Sequence, residues 1–186
     1  MRQSFKHAGL VMIAVLLAVV GTVITAGSAS AVKLQNQLKS PAVTLACTGA
    51  ACTKDVVTIP TNTFVDTYCV LGNFNVTYTG PATGRGGFVP ISAFKNPGLQ
   101  FTPCDNTGLF GQVGPASTSL SSCSGPCVNF GSVAGGTSLR SFCQLSTAPN
   151  RWFLVFVDTP GQQKSGFVRE SALSVKPGVP GCNPAF

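Results

Sequence analysis

The sequence predicts an all-β fold made of two small disulfide-stapled barrels or sandwiches in tandem. Three observations lead there. A series of cysteines and aromatics occurs twice in the same order. Short segments rich in β-branched and aromatic residues alternate with Gly/Pro turns, with no long 3.6-residue periodicity after the N-terminal segment. Eight cysteines follow an export-type N-terminus, the setting in which cysteines pair as disulfides.

The repeat comes first because it sets the domain count. Each copy opens on a close cysteine pair, Cys47 and Cys52 in one and Cys123 and Cys127 in the other. Val65-Asp-Thr-Tyr-Cys69 then answers Leu139-Arg-Ser-Phe-Cys143, and Phe74 answers Trp152. Gly87-Phe-Val and Ser92-Ala match Gly166-Phe-Val and Ser171-Ala. Each copy passes a Pro-Gly step and ends on a fourth cysteine, Cys104 or Cys182. The period is near 75 residues, which suits two small domains better than a solenoid.

Residues 1–31 read as a signal peptide with a helical apolar stretch. Arg2 and Lys6 are basic, Ala8 to Ile24 is an uncharged apolar run, and Ala29-Ser30-Ala31 is a small-x-small cleavage site. The expected mature chain starts at Val32, is secreted, and has no membrane segment. The competing reading is an uncleaved anchor, but the run is short for a spanning helix. Cleavage removes His7, the single histidine, and leaves ten Lys/Arg against five Asp/Glu, a net charge of +5. The charges are scattered singly, which speaks against nucleic acid as a partner and suits an anionic surface or plain solubility.

Residues 32–46 are expected to be a flexible leader, 47–104 the first domain, 105–122 a Gly/Ser-rich linker that is either flexible coil or docked on a neighbouring domain through Leu109, Phe110 and Val113, and 123–186 the second domain. Strands are expected over 63–71, 73–78 and 88–89 in the first copy. In the second they are expected over 138–145, 151–157 and 166–168. In the Trp152 strand, Trp152, Leu154 and Phe156 share one face, and Phe153, Val155 and Val157 share the other. Both faces are apolar, so one of them must meet the other domain or a ligand.

The order in the second copy, a strand ending at Cys143, a Trp152-led strand, Gly166-Phe167-Val168 and a Ser-Ala-Leu turn, resembles the bacterial SH3-like (SH3b) family. The likeness covers residues 128–175 directly and the first copy only through the repeat. Phe74 stands where the first copy would carry the tryptophan, and Phe167 and Phe88 replace the family's usual Trp. The resemblance implies two SH3-like barrels in tandem. It also implies binding residues among Trp152, Arg151, Phe167, Arg169, Phe74 and Phe88. Four cysteines per copy allow three pairings. The resemblance implies Cys52–Cys69 and Cys127–Cys143, and close termini would then pair Cys47–Cys104 and Cys123–Cys182.

No histidine remains for a Ser-His-Asp or Cys-His arrangement, and oxidised cysteines are not nucleophiles. Asp55, Asp66, Asp105, Asp158 and Glu170 are the mature chain's carboxylates, and the four aspartates lie near turns, strand ends or domain edges. The expectation is therefore no enzyme, no metal and no cofactor. Two functions survive. One is a secreted, monomeric binding module attaching to cell-wall peptidoglycan or a wall peptide, as the resemblance implies. The other is a protein-binding or inhibitory scaffold acting through loops such as Thr79–Gly86 or Thr159–Lys164.

Overall fold

The computed structural model describes residues 33–80, 83–97, 99, 102–125, 127–147 and 150–182. The expected signal peptide lies outside them. Eleven strands form two sheets among the described residues: β1 (Leu34–Gln37), β2 (Phe64–Leu71), β3 (Phe74–Tyr78), β4 (Gly86–Pro90), β5 (Leu109–Val113), β6 (Thr118–Ser121), β7 (Asn129–Val133), β8 (Ser138–Thr147), β9 (Asn150–Thr159), β10 (Gln162–Arg169) and β11 (Leu173–Val175). The first sheet runs β1-β2-β3-β4 and the second runs β11-β5-β8-β9-β10-β6-β7. Among the described residues the helical turns are two 3₁₀ turns, Ile91–Ala93 and Glu170–Ala172, in the shared Ser-Ala segment. The expected all-β architecture with four disulfides is what forms.

Strand register aligns the two copies residue by residue. Cys69 faces Val76 and Val76 faces Phe88, as Cys143 faces Leu154 and Leu154 faces Phe167. Both long hairpins carry the same bulge, which leaves Tyr68 and Phe142 unpaired between Thr67/Cys69 and Ser141/Cys143. A bulge bends its strand and re-aims one side chain, here an aromatic. The hairpin ends differ. Gly72, at φ +56°, sits in the tight turn between β2 and β3, while β8 and β9 run on to Thr147 and Asn150.

The copies begin earlier than the cysteines suggest. β1 pairs with β2, and β5 pairs with β8, in the same antiparallel register. Leu38 then bridges Phe94 as Val113 meets Leu173. The expected flexible leader thus contributes the first strand of copy one. The expected linker holds β5, the first strand of copy two, and β6, which pairs with β7 and β10. Leu109, Gly111 and Val113 in β5, and Leu120 in β6, are covered apolar positions, which a solvated linker would not have.

The core has three parts. Leu38, Ile59, Val65, Val89, Ala93 and Phe94 fill copy one. Their counterparts in copy two are Val113, Val133, Leu139, Val168, Ala172 and Leu173, within a larger cluster. The third cluster belongs to both copies: Tyr68, Val76, Tyr78 and Phe88 pack with Phe142, Trp152, Leu154, Phe156 and Phe167. The Trp152-Leu154-Phe156 face of β9 therefore meets the other copy, and the Phe153-Val155-Val157 face meets copy two's own core. Each buried side chain of this size contributes about 1.5–3 kcal/mol, so the copies are fused and not strung on a tether.

Copy one is the more polar. Where copy two buries Leu120 against Phe130, copy one has Thr44 and Asp55, and where copy two has Phe153, Val155 and Val157, it has Asn75, Thr77 and Thr79, all buried. Asp55 is held by the Thr44 hydroxyl at 3.3 Å, the Val57 amide at 3.3 Å and Arg85 at 3.5 Å. Paired this way, the carboxylate tolerates burial that an isolated charge would not. Arg85 Nη1 also reaches Ser122 Oγ of copy two at 3.3 Å.

The disulfides correct the expected pairing. They are Cys47–Cys52, Cys69–Cys104, Cys123–Cys127 and Cys143–Cys182. The tail of each copy explains why. The Val70 amide donates to Thr102 and the Val70 carbonyl accepts from Cys104, so the tail runs parallel beside β2. Gln144 brackets Pro180 and Cys182 in the same way beside β8. This brings Cys69 and Cys104, and Cys143 and Cys182, to a Cα separation of 4.8 Å. The opening pairs then close on themselves across loops of five and four residues.

Candidate binding surfaces

Four of the six residues expected in a binding groove belong to the shared core. Phe88 and Phe167 are fully buried, and Trp152 is 7% exposed. Phe74 is half-buried and meets Phe88 edge-on, with centroids 6.4 Å apart. A ligand cannot stack on rings already packed against one another. The sequence could not say this, because the aromatic residues of a groove and of an interface look alike until the partner face is known.

The two arginines remain outside. Arg169 is exposed, and its Cζ lies 4.9 Å from the centre of the Trp152 ring, its register partner across β9 and β10. That cation–π contact covers a face of the indole. Arg151 lies 3.9 Å from Glu170, which also pairs with Lys176 at 3.5 Å. These are half-exposed surface pairs, each of little energetic weight.

Concave surface lies elsewhere, within copy one beside Pro41 and Pro90 and at the junction of the copies. A 530 Å³ groove opens between the Cys47–Cys52 loop of copy one and the Asp158–Gly161 turn of copy two, with Gln163 beside it. Two backbone bonds of one kind hold this junction. The Gly86 amide of copy one donates to Ser122 of copy two at 2.8 Å, and the Ser165 amide of copy two donates to Ala46 of copy one at 2.9 Å. Cys47 also bridges Lys164. Asp158 lines a second groove of 240 Å³ with Asp105, Phe110, Ser138 and Arg140. Gln163 Nε2 donates to Asp158 Oδ1 at 3.2 Å and orients it. Sequence reading placed Asp105 and Asp158 only near turns and domain edges, and it passed over Arg140. The available signal was an arginine inside an expected strand, two residues before Phe142.

One ionisable cluster is internal. Asp66 is buried beside Lys33, whose ammonium lies 3.3 Å from Oδ2. Burial raises the Asp66 pKa above its ordinary value, and Lys33 opposes the rise. Burial and the neighbouring Asp66 also push the hydroxyls of Tyr68 and Tyr78 up. Among the described residues no group of three or more His, Cys, Asp and Glu is arranged to hold a metal ion. All eight cysteines are paired, which fits an oxidising compartment.

Fold and surface together define an all-β, disulfide-stapled protein of two fused repeats, with a loop-built groove at their junction and a second groove on the sheet of copy two. No family model matches the chain, and no curated protein matches it. Among solved structures, NlpC2 from Trichomonas vaginalis is similar at a TM-score of 0.31 and 9% identity, over 78% of this chain and 49% of that one. This chain spans about half of that protein's length, and a likeness of this degree carries no argument about fold or function.

Proposed function

We propose that the protein is an exported, non-catalytic binding protein that presents the loops at its copy junction to a cell-wall peptide or polymer. Reading each copy as an SH3-like unit, and hence the wall as the ligand, is part of this proposal and comes from the sequence resemblance. The supporting observation is the junction groove between the Cys47–Cys52 loop and the Asp158–Gly161 turn, beside the core that the copies share. The Cys47–Cys52 bridge closes one of these loops, and a loop tied beforehand loses less entropy on binding. Three of the five carboxylates, Asp55, Asp66 and Glu170, are engaged with cations, which supports a non-catalytic role.

A second reading has an observation of its own. Phe88, Phe167 and Trp152 are withdrawn into the core, and the groove residues Thr159, Pro160, Gly161 and Gln163 fall in the loop already singled out for protein contacts. This favours a secreted protein as the partner. The discriminating experiment is co-sedimentation of the chain from Val32 with purified insoluble cell wall. Sedimentation that is lost when Gly161 is replaced by a bulky residue supports the wall reading. A folded chain that stays in the supernatant sinks it and leaves the protein-binding reading.

A further inference from the structure

Asp66 and Arg140 hold the same place in the two copies. Asp66 faces Tyr78 across β2 and β3, and Arg140 faces Phe156 across β8 and β9. Copy one neutralises its charge internally, with Lys33 at 3.3 Å from a buried Asp66. Copy two does not. Arg140 is half-buried and makes no ion pair among the described residues. It lines the 240 Å³ groove, and so do Asp105 and Asp158. Those two are the carboxylates that no cation engages among the described residues.

The sheet explains how the groove is built. Phe110, Arg140 and Phe156 form one cross-strand row over β5, β8 and β9. Residues two apart on a strand share a face, so Ser138 and Asp158 stand one row further on the same side. This is the face that packs on copy one through Phe142 and Phe156, continued past the edge of that contact. Phe156 is buried at the groove floor, and Phe110 is 50% exposed at its wall. The groove thus offers a guanidinium, two carboxylates and an aromatic surface.

We propose that this groove binds a zwitterionic amino-acid head group. Arg140 takes the carboxylate through its two-pronged fork. Asp105 and Asp158 take the ammonium, and Phe110 covers the aliphatic carbons between. The volume suits one residue and not an extended chain, since sites for larger ligands begin at about 300 Å³. Copy one's Lys33–Asp66 pair is the internally satisfied version of the same position. The inference rests on the binding-protein reading and narrows its ligand to a peptide carrying a residue joined through its side chain, so that its α-ammonium and α-carboxylate are both free.

The test is a titration of the ¹⁵N-labelled chain from Val32, followed by amide chemical shifts. Three probes separate the charges: L-lysine, L-lysinamide without the carboxylate, and Nα,Nε-diacetyl-lysine without the ammonium groups. L-lysine should shift amides at Ser138–Arg140 and Phe156–Asp158. Each blocked form should bind roughly tenfold more weakly or worse, the usual cost of a lost charge-assisted hydrogen bond. Arg140→Gln should remove the preference for lysine over lysinamide. Asp158→Asn, with the exposed Asp105→Asn as a second variant, should remove the preference over the diacetyl form. Equal response to all three probes, shifts confined to other residues, or no shift would overturn the inference. If the wild type sediments with cell wall and a folded Arg140→Gln sediments equally, the groove assignment fails and the binding reading stands. A selective lysine response without sedimentation leaves the groove and removes the wall.

Discussion

The Tyr78 ring meets Phe167 edge-on, centroids 6.1 Å apart and planes at 85°. The contact is made a second time with the copies exchanged, by Phe156 and Phe88 at 6.2 Å and 84°. Tyr78 and Phe156 are equivalent by register, and so are Phe88 and Phe167. Between them Tyr68 stacks on its own counterpart, Phe142, at 5.6 Å. In a two-fold dimer residue i touches j of its partner and j touches i. Here that reciprocity lies inside one chain.

Truncating one ring of this set should therefore weaken both copies at once. Phe88→Ala, in copy one, should cost about 3–5 kcal/mol, as for other buried aromatics. Trp152, the single tryptophan, sits in the shared cluster in copy two and reports on it. Denaturant unfolding followed by its fluorescence and by circular dichroism should give one coincident transition, moved to lower denaturant by Phe88→Ala. Two separated transitions would mean the copies unfold independently.

Separated halves should behave as incomplete dimers. Cutting between Asn106 and Thr107 leaves each half with one face of the shared cluster in water. Residues 107–186 keep the larger private core and should fold and self-associate through that face. Residues 33–106 bury Asp55, Asn75, Thr77 and Thr79 where the other copy has apolar side chains, and should stay largely unfolded alone. Mixing the two should restore a 1:1 complex. Sedimentation velocity decides this, and a monomeric, folded first half would contradict it.

What the sequence disclosed follows from which contacts are local. The hairpins Phe64–Tyr78 and Ser138–Thr159 were legible because their strands are rich in β-branched and aromatic residues and their turns carry Gly or Pro. The two apolar faces of the Trp152 strand were legible for the same reason. β1 and β5 were not, since Leu-Gln-Asn-Gln and Leu-Phe-Gly-Gln-Val have little in common and owe their state to pairing with β2 and β8. The disulfides depended on where each tail lies beside its strand, a long-range fact that no spacing encodes. Of the grooves, Asp105, Asp158 and Phe110 were visible as residues, but not that Arg140 faces them.

The two kinds of disulfide should differ in weight. Cys69–Cys104 and Cys143–Cys182 span 35 and 39 residues, whereas Cys47–Cys52 and Cys123–Cys127 span five and four. On the chain-entropy account the long bridges contribute about 4 kcal/mol each and the short ones about 2. The double change Cys69→Ser/Cys104→Ser should lower the unfolding free energy about twice as much as Cys47→Ser/Cys52→Ser. Non-reducing peptide mapping should recover the four pairs as described, and a Cys52–Cys69 peptide would refute the pairing.

The buried Asp66 sets the pH response. Its native pKa lies above the ordinary 3.8 because burial outweighs the help from Lys33. The native state then holds this proton more tightly than the unfolded chain, so stability from Asp66 is greatest below 3.8 and falls as pH rises through the native value. The signs for Tyr68 and Tyr78 agree, since raised hydroxyl pKa values cause stability to fall once the pH exceeds about 10. Asp66→Asn keeps the shape and removes the charge. It should flatten the acid-side dependence, and it should ease ionisation of both tyrosines, which the neighbouring carboxylate opposes. Lys33→Met should do the reverse on the acid side. It leaves the carboxylate buried without the ammonium 3.3 Å away, so the pKa rises further and stability near neutrality drops. Unfolding free energies across the acid range for wild type, Asp66→Asn and Lys33→Met check the set. A wild type that gains stability with rising pH, with the gain lost in Asp66→Asn, would show that Lys33 outweighs burial and reverse the assignment.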